Sequence, residues 1–126
     1  MNVIKHIVTV TTGASDGKGS GFTPVVNGRI LNIIYTKASS GNYADTVDFV
    51  VTTEDTAITI WDQDNVTATA TVAPRQATHS TAGLASLYAA DGAAVNDFIY
   101  VANERIKISV ENAGNSKTGT FTVIVG

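Results

Sequence analysis

The stretch from 105 to 125, RIKISVENAGNSKTGTFTVIV, decides the fold class of this chain. Its first run alternates Ile106, Ile108 and Val110 with polar or charged residues, which is the two-residue period of a half-buried strand. The run from 119 to 125 is again β-branched and aromatic, and the Asn, Gly and Ser residues between the two runs are typical of a turn. The stretch therefore predicts two strands joined by a turn.

The same pattern recurs towards the N-terminus. Runs rich in Thr, Val and Ile alternate with clusters of Gly, Asn, Asp and Ser, and strong helix formers are sparse, as is typical of pleated sheets. Strands are predicted at 4–12, 28–36, 46–53, 56–62, 66–72, 97–102, 105–111 and 119–125. The segment 84–90, LASLYAA, fits either a helical turn or a ninth strand. Short strands separated by long polar loops predict an all-β, two-sheet β-sandwich of eight or nine strands, and the jelly roll is one such arrangement.

The chain has 126 residues and a mass of 13.1 kDa, which fits a single domain. Within it, residues 1–24 are predicted to form an N-terminal strand and a Gly-rich arm, and residues 25–126 the sandwich. The loop 12–21, TGASDGKGSG, reads as too polar to be packed. The N-terminal segment resembles a weak signal peptide, but Lys5 and His6 interrupt its apolar run, so we interpret it as the first strand.

Composition narrows the range of functions. Cysteine is absent, which excludes disulfides and thiolate chemistry. The net charge is −3, and Lys and Arg are scattered singly, which argues against nucleic acid as a partner. No apolar run approaches the roughly 18–20 residues that cross a bilayer, so no membrane partner is expected.

The chemical motifs are incomplete. The loop 12–21 lacks the spacing of a phosphate-binding loop and is not followed by a predicted helix. The sequence WDQDN at 61–65 is rich in oxygen ligands but lacks the rest of a calcium loop. His6 and His79 have no nucleophile motif beside them, which argues against a hydrolytic triad. The carboxylates that cluster in sequence are expected at turns rather than across a catalytic cleft. We therefore predict a protein that is not an enzyme and has no catalytic residue, cofactor or metal.

Two features point to binding instead. Trp61 and Tyr43 could stack on sugar rings, which gives the alternative of a carbohydrate-binding module. Charged residues make up only 15% of the chain, against about 25% in ordinary domains. A surface poor in Lys and Glu is similar to the core of protein–protein interfaces, which favours a subunit of a closed oligomer or shell.

From Phe22 onward, the order of the segments resembles tailed-bacteriophage head decoration (capsid cement) proteins or related small all-β virion proteins. The segments that carry the resemblance are GRILNIIYT (28–36), DFVVTTEDTAITI (48–60), the Pro74–Arg75 step and ERIKISVENAGNSKTGTFTVIVG (104–126).

This resemblance implies a homo-oligomer, with a trimer favoured, made in the host cytoplasm without a signal peptide and placed on the capsid exterior. There it would bridge subunits of the major capsid protein and stabilise the head. For the sugar-binding alternative, the resemblance implies a carbohydrate-binding or host-recognition module of a phage fibre or tail. It also implies a capsid-contact arm near the N-terminus. The candidate arm residues are Asn2, Val3, Ile4, Lys5, Lys18 and Phe22.

Overall fold

Ten β-strands are present in residues 2–126, the part of the chain that the structure, a computed structural model, describes. The strands are β1 (Ile4–Thr11), β2 (Gly19–Phe22), β3 (Val26–Lys37), β4 (Asp48–Thr53), β5 (Thr59–Gln63), β6 (Ala70–Val72), β7 (Arg75–Ala77), β8 (Asn96–Glu104), β9 (Ile106–Glu111) and β10 (Thr118–Val125). None of the described residues forms a helix long and apolar enough to cross a membrane.

These strands form two antiparallel sheets. One has the order β1-β10-β3-β8-β7, with β6 pairing the second half of β3. The other has the order β2-β9-β4-β5. The all-β, two-sheet prediction is therefore confirmed, with ten strands rather than eight or nine.

The pairing of the longer strands defines a jelly roll. When the short β6 and β7 are set aside, the first strand pairs with the last (β1 with β10). The second pairs with the last but one (β2 with β9), then β3 with β8 and β4 with β5. The chain is thus one long two-stranded ribbon wound into two sheets, which is the jelly-roll arrangement.

The Gly-rich segment 12–21 is packed at its two ends, contrary to the expectation of a loop too polar to pack, although residues 13–16 between them are exposed. Its end is β2, which pairs with β9, and Thr12 is buried with its hydroxyl donating to the Gly114 carbonyl at 2.7 Å. A Cβ built on Gly21 would lie 2.7 Å from Cγ1 of Val8 in β1. The missing side chain therefore lets the two edge strands approach and close this side of the sandwich.

The middle of the chain differs most from expectation. The predicted strand 66–72 is reduced to β6, and a short β7 follows directly after Pro74. The segment 84–90 is neither a helix nor a strand, and it is held by isolated bridges, such as Leu87 with Ala94, and by turn-like backbone hydrogen bonds. The strand predicted at 97–102 is confirmed as the longer β8.

Five aromatic rings fill the centre between the sheets. Phe49 packs edge-on against Tyr35, Trp61 and Phe121, with ring centroids 4.7–5.4 Å apart. Tyr43 stacks on Tyr35 at 6.0 Å. This cluster draws on both sheets and on the loop before β4, and it fixes the distance between the layers.

Candidate interaction surfaces

The two rings predicted to stack on sugars lie in the core. Trp61 is 7% exposed, and its indole N–H donates to the Gln63 side chain at 3.1 Å. Tyr43 is 2% exposed, and its hydroxyl donates to the Val10 carbonyl. Burial raises the pKa of this hydroxyl above its usual value. Neither ring therefore offers a face to a ligand, because packing between the sheets takes both faces.

The predicted arm residues lie in two places rather than one. Asn2, Val3, Ile4 and Lys5 are exposed at the start of β1. Lys18 lines a depression on the outer face of the four-stranded sheet, together with Asp16, Lys107 and Glu111. Phe22 lies on the outer face of the four-stranded sheet, where the Arg105 guanidinium stacks over its ring at 4.1 Å. Only the first group forms a continuous stretch, and it is part of the sandwich because Ile4 pairs with Val125.

The outer face of the six-stranded sheet is a regular surface with few charges. Strand register places its outward side chains in rows that run across β1, β10 and β3. One row extends to β6 and consists of Ile7, Thr122, Ile34 and Thr71. The row on one side consists of Thr9, Thr120 and Thr36. The row on the other side consists of Lys5, Ile124 and Asn32. We call these ten residues the docking face, and Lys5 is its one charged member.

Cationic side chains border the docking face. Arg29 and Arg75 both stack on the Phe98 ring, at 5.0 and 4.2 Å from its centroid. Arg29 also pairs across the ladder with the exposed Tyr100 and donates to the Gly126 carbonyl at 3.1 Å. This border gives the docking face a positive rim on a protein whose net charge is −3.

The opposite face, on the four-stranded sheet, carries charges of both signs. Arg105 donates to Glu54 through two nitrogens, one of them at 2.6 Å. This guanidinium lowers the pKa of the Glu54 carboxyl. Lys107 of β9 and Asp62 of β5 also lie on outward positions of this sheet, on the two strands that flank β4. The two faces of the sandwich therefore differ sharply in charge.

One nearly buried carboxylate is structural. Glu104 accepts hydrogen bonds from the backbone amides of Asp55 and Thr56, at 2.8 and 3.1 Å, and from the Thr56 hydroxyl at 2.9 Å. These bonds, that of the Thr56 amide above all, lower the pKa of Glu104. The carboxylate thereby ties the end of β8 to the turn between β4 and β5.

The histidines and the WDQDN acids are dispersed. His6 is half-buried on β1, while His79 is exposed beyond β7. Asp62 and Asp64 are exposed, and the backbone N–H of Asn65 donates to the Asp48 carboxylate at 3.1 Å. Among residues 2–126, no three His, Asp or Glu side chains lie together in a way that could hold a metal ion.

Comparison with known proteins identifies no relative: no family model, curated protein or solved structure matches this chain.

Sequence reasoning missed two surface features. The first is the docking face, which depends on strand order across three strands far apart in sequence. The second is the segment between β7 and β8, where Leu84, Leu87 and Tyr88 are exposed. The only sequence signal for the second was an apolar run without a clear period at 84–90.

Proposed function

We propose that this chain is a structural virion protein that decorates and stabilises a phage capsid by bridging subunits of the major capsid protein. The docking face carries the proposal, because it is broad, regular and nearly free of charge. Threonine and isoleucine lose little rotamer freedom on burial compared with Lys or Glu, and interface cores are depleted in charged residues. A face of this composition suits extended contact with another protein.

The fold is compatible with this role without deciding it. Jelly rolls occur in viral capsid proteins and also in lectin domains, and a fold by itself does not assign a function. The alternative of a carbohydrate-binding module is weakened because Trp61 and Tyr43, the rings proposed to stack on sugars, are buried. The proposed position is the capsid exterior, with a homotrimer as the favoured assembly.

The rim of the docking face suggests the charge of the partner. Lys5, Arg29 and Arg75 lie on or beside the face, whose outward rows on β1, β10, β3 and β6 contain no Asp or Glu. We therefore expect the contacted capsid surface to be neutral at its centre and acidic at its border.

The proposal is tested by placing a charge at the centre of the docking face. Thr122 is half-buried between Ile7 and Ile34, so Thr122→Glu would bury an unpaired carboxylate in the interface. The matched control is Thr52→Glu, also a half-buried outward position but on the other sheet and opposite Lys107.

Binding is measured by co-sedimentation with capsids prepared without this chain from the phage that encodes it. We expect wild type and Thr52→Glu to pellet with capsids and to raise the temperature at which the capsids break, and Thr122→Glu to lose at least tenfold in affinity. Equal binding by the two variants would contradict the role of the docking face. Failure of the wild-type chain to bind capsids would overturn the proposed function.

Deletion of residues 1–24 is unsuitable as a test of the predicted arm. It would remove Val8 and Val10, which are buried in the core. The exposed positions Val3 and Lys5 can be changed instead, as Val3→Asp and Lys5→Glu, while the pairing of β1 with β10 is retained. Loss of capsid binding with an unchanged melting temperature would support a contact at the start of β1.

A further inference from the structure

An arginine stacks on a phenylalanine ring on each outer face of the sandwich, with nearly the same geometry. On the four-stranded sheet, the Arg105 guanidinium lies 4.1 Å from the centroid of the Phe22 ring. On the six-stranded sheet, the Arg75 guanidinium lies 4.2 Å from the centroid of the Phe98 ring. A guanidinium stacked in this way keeps the N–H groups in its own plane available for hydrogen bonds.

The first of these arginines binds a carboxylate of its own chain. The Nε and Nη2 atoms of Arg105 both donate to the carboxylate of Glu54, the second of them at 2.6 Å. This is the two-pronged contact in which a planar guanidinium matches both oxygens of a carboxylate. The contact also lowers the pKa of the Glu54 carboxyl, so it favours the ionised form.

Arg75 has the same two nitrogens but no carboxylate of its own chain on them. Its Nη1 atom donates to the Pro74 carbonyl at 2.7 Å and reaches the Leu31 carbonyl at 3.5 Å. Its Nε and Nη2 atoms make no hydrogen bond, and its guanidinium no ion pair, with any of residues 2–126. The side chain is exposed, so an outside carboxylate has access to it.

The contacts of Arg75 also fix its side chain in advance. Phe98 is half-buried and lies directly opposite Arg75 in the β7–β8 ladder, so the ring is a fixed support. The bond to Pro74 holds the guanidinium at a second point. Part of the rotamer entropy that an arginine loses on binding is therefore already lost in the free protein. Arginine is enriched among the few residues that dominate the affinity of an interface.

Arg75 lies at the border of the docking face. Its contact with the Leu31 carbonyl places it beside Asn32, which belongs to that face. Arg29 stacks on the same Phe98 ring at 5.0 Å and adds positive charge to this border. The outward rows of the docking face contain no Asp or Glu. A carboxylate of a partner seated on the face thus meets cations and no competing acid of those rows.

Two other sources of the oxyanion fit less well. Asp97 precedes Phe98 on β8, so its side chain lies on the other side of the strand, and its carboxylate accepts the Phe98 amide at 2.7 Å. Nucleic acid needs several phosphate contacts, whereas this chain has a net charge of −3 and scattered cations. A carboxylate of the protein that covers the docking face satisfies both the position and the chemistry of Arg75.

We propose that Arg75 is a specificity-determining contact of the docking face, and that its Nε and Nη2 atoms bind the carboxylate of an aspartate or glutamate side chain on the major capsid protein. The inference rests on the proposed function for the identity of the partner. It adds the residue that makes the contact and the group that this residue recognises.

The first test compares capsid binding by three variants. Arg75→Gln removes both the charge and the paired donors, whereas Arg75→Lys keeps the charge and loses the planar pair. Lys107→Gln is the control, because it changes the net charge as much as Arg75→Gln but lies on the outer face of the other sheet. Melting curves first establish that all variants are folded, and co-sedimentation with capsids prepared without this chain then gives their affinities.

We expect Lys107→Gln to bind capsids as wild type does, and Arg75→Gln to bind about tenfold or more weakly. Arg75→Lys should lose nearly as much as Arg75→Gln, since an ammonium group cannot make two parallel bonds to one carboxylate. A contact that depended on charge alone would leave Arg75→Lys close to wild type.

The second test needs no capsid and uses acetate as the probe. The arginine Nε–H signals of the ¹⁵N-labelled protein are followed by NMR in sodium acetate and in sodium chloride of equal ionic strength, and Arg75→Gln identifies the Arg75 signal. We expect acetate to shift the Arg75 signal more than chloride does. The Arg105 signal should respond less, because Glu54 already occupies the same two nitrogens. Light scattering should give wild type and Arg75→Gln the same mass.

The inference and the proposed function fail separately. Wild type that pellets with capsids, together with an Arg75→Gln or Arg75→Lys variant that binds equally well, would overturn the inference alone. An Arg75 signal that moves no more in acetate than in chloride would do the same. Wild type that responds to acetate but does not pellet would refute the capsid role and, with it, the capsid as the source of the carboxylate. A mass that falls in Arg75→Gln would assign the carboxylate to a second copy and likewise overturn the inference.

Discussion

Adding a single methyl group to β2 should strain the side of the sandwich that β1 and β2 close. In Gly21→Ala, the new Cβ would lie 2.7 Å from Cγ1 of Val8 and 3.0 Å from Cγ2 of Val10. Carbon atoms in contact sit about 3.5–4.0 Å apart, so the strands must separate by roughly 1 Å. Over-packing of this kind costs about 1–3 kcal/mol.

Part of that cost is offset in the unfolded state. Replacing glycine by alanine at a permitted backbone conformation stabilises by about 0.4–1 kcal/mol, because the unfolded chain loses freedom. We therefore expect Gly21→Ala to lower the free energy of unfolding by about 1–2 kcal/mol. For a domain of this size the melting temperature should fall by roughly 4–8 °C.

The assay is urea and thermal denaturation followed by circular dichroism, with Ser20→Ala as the control. Ser20 is the neighbouring residue of β2 but is exposed, so its change should stay within about 0.5 kcal/mol. Val8→Ala alone should cost about 2 kcal/mol, and about 1 kcal/mol less when Gly21→Ala is present, because the added methyl group fills the space left by valine. The reasoning is refuted if Gly21→Ala is as stable as wild type, or if the two changes are strictly additive.

Two further changes probe buried polar groups. Tyr43→Phe removes the hydroxyl that donates to the Val10 carbonyl in the core, so the free energy of unfolding should fall by about 1–3 kcal/mol. The control, Tyr100→Phe at an exposed position, should change it by less than about 0.5 kcal/mol. Equal effects of the two changes in urea denaturation would contradict the role of that hydrogen bond. Glu104 has a lower pKa in the folded chain than in the unfolded chain, so its carboxylate stabilises the fold above the unfolded pKa of about 4.3 and loses this contribution as the pH falls through the folded value. Glu104→Gln should therefore destabilise the protein at pH 7 and make little difference at strongly acidic pH; a difference from wild type that is independent of pH would contradict this.

The local structure at both ends of the chain was predictable because it depends on neighbouring residues. The alternation of Ile106, Ile108 and Val110 can bury one side only as a strand, and β9 follows that pattern from Ile106 to Glu111. The prediction failed where glycine was taken to mean a loop. Gly21 is a strand residue because an approaching strand needs its missing side chain, which no local pattern reveals.

The candidate surfaces were less predictable for the same reason. Trp61 and Tyr43 had the chemistry of a sugar platform, but whether an aromatic ring faces a ligand or the core depends on which sheet covers it. Thr9, Thr120 and Thr36 are distant in sequence and become one row only through the register of β1, β10 and β3. Spacing along the chain carries no information about that register.

The sequence by itself determined that this protein is an all-β domain, without cysteine chemistry and with few charges, because side-chain branching, period and composition act locally. Only the tertiary structure decided that the strands wind as a jelly roll and that one outer face is nearly uncharged. The physical reason is that these properties arise from long-range pairing. The free energy that selects one pairing comes from burying the whole core at once, and no single segment contains it.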